Sequence, residues 1–340
     1  MPESYFSLSK KDQSELLDTA AALSGRPAHI LEKDVWVVWA LSVLFTSPLA
    51  SFLTFKGGTS LSKAYAAINR FSEDIDLTCD IRTLLAELIN NPEGLPPTAS
   101  QASKWTKAVR ERLPQWLSGE VVPLLHGGLP EKLPEEAIQL FTPDSIIINY
   151  APLREGTGYL APKIRLEFGA RSTGEPFEML PVYCDLANII KEIQFPEAMP
   201  RVFKMDRTFW EKATAIHVFC KQGKMRGTRF SRHWYDLVQL AKLPRMQHSL
   251  LDREGLSQVV RHKSLFFVEK NISGERIDYN DCLNGKLQLS PSGVTLEILH
   301  KDYNHMIQDG LLLDNAMDFD FILQQCRALE KSINQAFGAL

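Results

Sequence analysis

The sequence predicts an α+β fold: a mixed β-sheet flanked by helices, followed by a mainly α-helical C-terminal domain. Three observations predict it. Short apolar, β-branched or alternating runs (Ser51–Phe55, the run around Asp74–Asp76, Ser145–Tyr150 and Tyr159–Ala170) punctuate the first part of the chain. Helical stretches and Pro/Gly-rich connections separate those runs. From about Arg207 onward the pattern turns helical, as in the spacing of Phe209, Ala213, Ile216 and Cys220. With 340 residues, 44% of them apolar, the chain can fill the cores of two domains, 1–195 and 196–340.

The elements follow in order. Ser7–Leu23 reads as an amphipathic helix that Ser9 can cap, with Leu16, Leu17, Ala20 and Leu23 as its stripe. Gly25-Arg26-Pro27 breaks it. Ile30–Phe45 is a second helix, with Glu32, Lys33 and Asp34 in its first turn, where acids favour the helix N-terminus. Val35–Phe55 carries no charged residue and is long enough to span a bilayer. Thr46-Ser47-Pro48 splits it into a buried helix and a strand, each too short to cross alone.

Residues 81–144 read as an insertion covering the sheet, with a helix around Ala102–Leu117. In Tyr159–Ala170, alternation puts Lys163, Arg165 and Glu167 on one face and Ile164, Leu166 and Phe168 on the other. Val182–Leu186 adds a candidate fourth strand. Further helices are expected at Thr208–Lys221, Arg232–Lys242, Leu250–Glu269 and Asn315–Phe337, with a mixed stretch at Arg276–Val294.

Composition narrows the function classes. The net charge of −3 provides no global basic field for nucleic acid, so a local patch would have to supply one. The five cysteines are scattered without a CxxC, which argues against a disulfide framework or structural zinc and fits a reducing cytoplasm. The first residues lack the basic-then-apolar layout of a signal peptide, so no membrane association is expected.

The chemistry concentrates in Phe55–Thr78, FKGGTSLSKAYAAINRFSEDIDLT. A strand leads into Gly57-Gly58, where something must approach the backbone closely. A short helix follows, whose N–H groups offer an anion site and which Thr59 or Ser60 can cap. Asp74 and Asp76 fall on one strand face, about 7 Å apart, a spacing suited to hard cations. Glu73 falls on the opposite face and gets no metal role. A phosphate cradle beside paired carboxylates is the minimum equipment for two-metal phosphoryl or nucleotidyl transfer.

These residues carry a resemblance. Gly-Gly-Thr/Ser, a short helix and Asp-x-Asp resemble the polymerase-beta-like nucleotidyltransferase superfamily, and GGTSLSK with FSEDIDL resembles the AbiEii/MenT family of bacterial nucleotidyltransferase toxins. WEKATAIH and RHWYDL resemble that family's third and fourth motifs, and RHKSLFF (Arg261–Phe267) and HKDYNHMI (His300–Ile307) its C-terminal phrases. The resemblance implies a nucleotidyltransferase-fold sheet, Mg²⁺ or Mn²⁺, and an NTP as substrate. It also implies a toxin role in a toxin–antitoxin or phage-defence pair, a cognate antitoxin such as a winged-helix repressor, and the 3′ end of tRNA as acceptor. The alternatives are transfer to a protein side chain, or a nucleotide- or RNA-binding protein without turnover.

Site residues follow from both lines. Asp74 and Asp76 are the expected metal ligands, with Glu167 as third carboxylate or Asp185 in its place; Glu167 can equally pair with Lys163 or Arg165. Gly57, Gly58, Thr59, Ser60 and Lys63 are candidates for the nucleotide, with Lys56 adding positive charge; Lys63 can equally be an exposed helix residue. The resemblance places Lys212 on the triphosphate and Asp236 in support of the site. The plain alternatives are an exposed lysine and an aspartate paired with Arg232. Lys221, Lys224, Arg226, Arg229 and Arg232 form the densest basic run and are candidates for phosphate or RNA, or else a solvated face. His217 and His233 read as structural, and Trp36, Trp39, Trp210 and Trp234 as core.

Overall fold

Ser9 opens the first helix as expected: its Oγ accepts the Asp12 N–H at 3.1 Å, and α1 (Lys10–Ser24) runs to Gly25, whose φ of 71° ends it. α2 (Ala28–Phe45) starts two residues earlier than expected and is buried along most of its length, Trp36 and Trp39 included. Because the helix begins at Ala28, Glu32, Lys33 and Asp34 lie beyond its first turn and are buried. Each makes a tertiary contact instead of tuning the helix end. Glu32 accepts the Leu153 and Arg154 N–H groups, Lys33 donates to the Ala161 carbonyl, and Asp34 meets Lys63. The computed structural model describes residues 2–72, 74–130, 134–155, 161–223, 229–308, 310–312 and 317–338. Among these no helix is long and apolar enough to cross a membrane.

The chain forms two compact units. The first takes residues 1–64, 72–94 and 105–203. Its centre is a seven-stranded mixed sheet built from β1 (Leu53–Lys56), β2 (Asp74–Asp80), β3 (Ile138–Thr142), β4 (Ser145–Asn149), β5 (Lys163–Ser172), β6 (Phe177–Met179) and β7 (Arg201–Phe203). The order across the sheet is β3-β4-β5-β2-β1-β7-β6. β2 pairs with β5 and β1 with β7 in parallel; the other pairs are antiparallel. The expected alternation in β5 holds: Ile164, Leu166 and Phe168 are buried, while Lys163, Arg165 and Glu167 are not. Ile75 and Leu77 of β2 are fully buried, so the intervening Asp74 and Asp76 share the more open face. Between β1 and β2 comes α3 (Gly57–Lys63).

The region read as an insertion contributes a sheet edge, β3, together with α4 (Ala99–Trp116). Trp116 contacts Phe52 and Phe168, so its helix end packs on the sheet. The candidate strand at Val182–Leu186 stops at Tyr183, which pairs with Glu197 in a separate two-stranded ribbon. Asp185 opens a short helix, α5 (Asp185–Ile189).

The second unit takes residues 65–71, 95–104 and 204–340. It holds α6 (Met205–Gln222), α7 (Ser231–Lys242), α8 (Arg253–Phe266), α9 (Gly293–Gln308) and α10 (Phe319–Gly338). α9 is a helix that the sequence reading leaves unassigned. Trp210 and Trp234 fill this unit's core.

Side chains from three helices satisfy the irregular segment 285–290. Asn334 pairs reciprocally with Leu287, Glu330 accepts the Ser290 N–H, the Trp234 indole donates to the Leu289 carbonyl, and His217 Nδ1 accepts the Gln288 N–H at 3.0 Å. His217 is therefore the neutral tautomer with its proton on Nε2, a structural histidine as expected. Burial, with the nearby Lys221 cation, pushes its pKa down to about 4.

That shift carries a sign. Between pH 6.5 and about 4 the unfolded chain binds a proton at His217 that the folded chain refuses, so stability falls as pH falls through this window. The ceiling on the loss is about 3 kcal/mol, and buried His233 adds in the same direction. His217→Asn, which can present an acceptor to Gln288, is expected to flatten the decline measured by urea unfolding across this pH range.

Candidate active site

The glycine turn and the acidic strand meet. Gly57 has φ of 78°, a conformation open to glycine, and a Cβ built there would overlap the Asp76 carboxyl group, 2.7 Å from its Cγ. The close approach that the diglycine announces is thus made first by Asp76. Register assembles the rest of the face. Glu167 on β5 and Lys56 on β1 are the Cα partners of Asp76, and Arg165 is the partner of Asp74. Neighbouring strands lie about 4.8 Å apart, so Glu167, Asp76 and Lys56 form one row on one face. The Lys56 ammonium lies near Gly169, 3.8 Å from where a Cβ would stand.

The face is partly open. Asp74 and Asp76 are half-buried, and the Glu167 side chain is 43% exposed. Glu167 pairs with Arg165 at 3.1 Å, the alternative that the sequence left standing. Among the described residues no group of three or more His, Cys, Asp or Glu side chains converges closely enough to form a ready metal cage. An all-oxygen donor set nevertheless matches Mg²⁺ or Mn²⁺, and Mg²⁺ sites commonly use one or two carboxylates together with substrate phosphates. Two aspartates on an open face beside a glycine turn fit that pattern. Glu73 lies outside the described residues.

Several expected roles shift. Thr59 and Ser60 do not cap α3; the helix begins at Gly57 with Lys56 as N-cap and no capping side chain. The Thr59 hydroxyl donates to the Asp74 and Ser72 carbonyls and so ties α3 to the start of β2. Ser60 donates to the Gly57 carbonyl at 2.9 Å, and both hydroxyls are fully buried. Lys63 is not exposed on its helix: its side chain is 12% accessible. Its ammonium lies 2.7 Å from Asp34 and 2.8 Å from Asp185, which also pairs with Arg26. Burial alone would lower the Lys63 pKa, but the two carboxylates reverse the shift and raise it. Asp185 is thus engaged with two cations, Arg26 and Lys63.

In the second unit, Lys212 and Asp236 form a 2.8 Å ion pair, both buried. Helical periodicity puts Lys212 on the inner face of α6 with Phe209, Ala213 and Ile216. The partners of Asp236 are Lys212 and Arg70. Arg70 grips the carboxylate from both sides, Nε to Oδ1 at 2.7 Å and Nη2 to Oδ2 at 2.8 Å. Burial alone would raise the Asp236 pKa, but the two cations outweigh it and hold the group well below the usual carboxylate range. Sequence reasoning missed Arg70. The available signal was an arginine directly before the acidic strand, in NRFSEDID.

The basic run is only partly a free surface. Lys221 pairs with Asp281 at 3.1 Å. Asp302, within the HKDYNHMI phrase, accepts the backbone N–H groups of Arg229 and Ser231 and the Ser231 hydroxyl, which clamps the start of α7. Arg232 is half-buried, and Lys224 and Arg226 lie outside the described residues.

The Gly57 contact predicts a graded result in thermal unfolding. Gly25 also has a left-handed φ but nothing within 4 Å of a built Cβ, so Gly25→Ala should cost only backbone strain, about 1 kcal/mol. Gly57→Ala must also displace the Asp76 carboxylate and is expected to cost about 1–3 kcal/mol more.

Comparison with known proteins adds to this geometry. No curated protein matches the chain in sequence. Among solved structures, the nucleotidyltransferase toxin MenT4 from Mycobacterium tuberculosis superposes with a TM-score of 0.44 at 15% identity, covering 95% of this chain and 98% of that one. The family model for the nucleotidyl transferase AbiEii toxin of type IV toxin–antitoxin systems matches residues 39–325. The match takes in the glycine turn, Asp74 and Asp76, Glu167, Lys212 and Asp236, and the chain belongs to the AbiEii family of nucleotidyltransferase toxins.

Proposed function

We propose that the protein transfers a nucleoside monophosphate from an NTP to the 3′-terminal hydroxyl of tRNA, and so arrests growth as the toxin partner of an antitoxin. The observation that carries the reading is the Asp76 carboxylate seated against the Gly57 turn, with Glu167 in register on the adjoining strand. The tRNA acceptor is what the resemblance to MenT-type toxins implies, the basic run between Lys221 and Arg232 in the sequence suits a phosphate backbone, and the toxin–antitoxin family implies an antitoxin partner.

In this mechanism the acceptor oxygen attacks the α-phosphorus in line. A new P–O bond forms, the bond to the bridging oxygen of the β-phosphate breaks, and pyrophosphate leaves. Asp74 and Asp76, assisted by Glu167, would hold Mg²⁺ or Mn²⁺, which when bound supplies charge neutralisation at the phosphates. Backbone N–H groups at Gly57 and Gly58 face the polyphosphate, while Thr59 and Ser60 keep the turn in shape from inside. Lys56 adds positive charge beside the carboxylate row. Glu167 takes the proton of the attacking hydroxyl. The resemblance implies that Lys212 contacts the triphosphate; within its own unit this lysine is paired with Asp236 at 2.8 Å.

Incubation with labelled NTPs, Mg²⁺ and total tRNA is expected to label the tRNA 3′ end and release pyrophosphate. Label on a protein instead would move the acceptor to a side chain. Nucleotide binding without pyrophosphate would make the protein a binder. Asp76→Ala and Lys212→Ala should each lower transfer by about 10²-fold or more and abolish growth arrest, with thermal unfolding confirming that each variant is folded.

A further inference from the structure

Resting on the role of Lys212 in nucleotidyl transfer, we propose that Arg70 is a positioning residue: it fixes the plane of the Asp236 carboxylate and thereby aims the Lys212 ammonium. Arg70 belongs to the short segment 65–71 that the second unit takes from between α3 and β2. Its side chain is 4% exposed and that of Asp236 is fully buried. The guanidinium occupies both carboxylate oxygens in a planar fork, and Lys212 shares Oδ2 at 2.8 Å. Both oxygens are thus committed to cations, and Asp236 acts through Lys212 instead of on a metal ion or a proton in flight. A guanidinium does not give up its proton at working pH, so the clamp keeps Asp236 anionic.

Arg70 is itself held from behind. Its backbone forms an antiparallel bridge with Leu312, the Phe71 N–H donates to the Leu311 carbonyl at 2.7 Å, and Arg70 Nη1 donates to the Phe71 carbonyl. A fork anchored at backbone and head presents the carboxylate in one orientation. Lys212 then meets a single oxygen, and its other N–H groups keep their direction. Without the fork the carboxylate can rotate to take the ammonium on both oxygens, drawing it off its line. Lysine in the same place supplies charge but not the planar, two-point grip.

The test measures single-turnover nucleotidyl transfer in Arg70→Gln, Arg70→Lys, Asp236→Asn and the double variant Arg70→Gln/Asp236→Asn. Arg70→Gln is expected to lower kcat about 10- to 100-fold with the KM for NTP changed less than threefold, because misplacement falls on the leaving group. Arg70→Lys should recover only part of the loss. The double variant should be no worse than Asp236→Asn alone, since Arg70 has nothing left to act through. Wild-type kcat in Arg70→Gln, full recovery by lysine, or losses that multiply in the double variant would each overturn the proposal.

Thermal melting separates misfolding from misplacement. If Arg70→Gln does not fold, Arg70→Lys and the double variant, which leaves no buried carboxylate charge behind, carry the comparison. Lysine Nζ NMR adds a readout that needs no turnover: the Lys212 resonance should shift alike in Arg70→Gln and Asp236→Asn. If the wild type transfers no nucleotide to any acceptor, the functional reading fails, and the NMR comparison still decides whether Arg70 governs Lys212. An unmoved resonance in folded Arg70→Gln rejects that coupling.

Discussion

The carboxylate of Asp76 occupies the space that a side chain at position 57 would take, and much of the first unit is arranged to make this contact possible. Gly57 must adopt a left-handed φ, and β1 must end just before it. β2 must also run beside β1 in the register that places Asp76 opposite Lys56. The buried Thr59 hydroxyl holds the turn and the acidic strand together through the Asp74 carbonyl. Parallel pairing of β2 with β5 then brings Glu167 into the same row, from a strand that begins 89 residues after Asp74. One steric vacancy and one register between them assemble a face of carboxylates next to the glycine turn.

Two ion clusters, one part-buried and one fully buried, show how differently charge is used in the two units. In the first, Arg26 and Lys63 meet Asp34 and Asp185, and the cluster ties α2, α3 and α5 together. Its energetic value lies in leaving neither the buried Asp34 nor the largely buried Lys63 unpaired. In the second unit, Arg70 and Lys212 converge on the single carboxylate of Asp236. One carboxylate therefore holds both cations, Arg70 through two oxygens and Lys212 through one.

Some of the site was legible because the relevant physics is local. A strand period of two places Asp74 with Asp76 and separates Glu167 from Leu166 and Phe168, whatever the strands pair with. A diglycine after a strand signals close approach without revealing what approaches. The pairing of Lys63 with Asp34 and Asp185 was not legible, because burial and partners depend on residues far away in the chain. Thr59 and Ser60 were placed correctly in the helix but assigned the wrong work, since a helix that starts at Gly57 leaves their hydroxyls pointing to carbonyls inside. Arg70 went unnoticed because nothing near it in sequence is its partner; Asp236 lies 166 positions away.

The amino-acid sequence by itself determined the elements and the chemistry they carry. Hydrophobic periodicity specified most of the helices and strands, and the phrases GGTSLSK, FSEDIDL, WEKATAIH and RHWYDL carried the resemblance to the family. Tertiary structure alone decided which charges meet. Sheet register set Glu167 beside Asp76, and burial paired Lys63 with Asp34 and Asp185, and Arg70 with Asp236. The reason is physical: conformational preference is encoded within a few neighbouring residues, whereas the partner of a buried charge is chosen by packing across the whole chain.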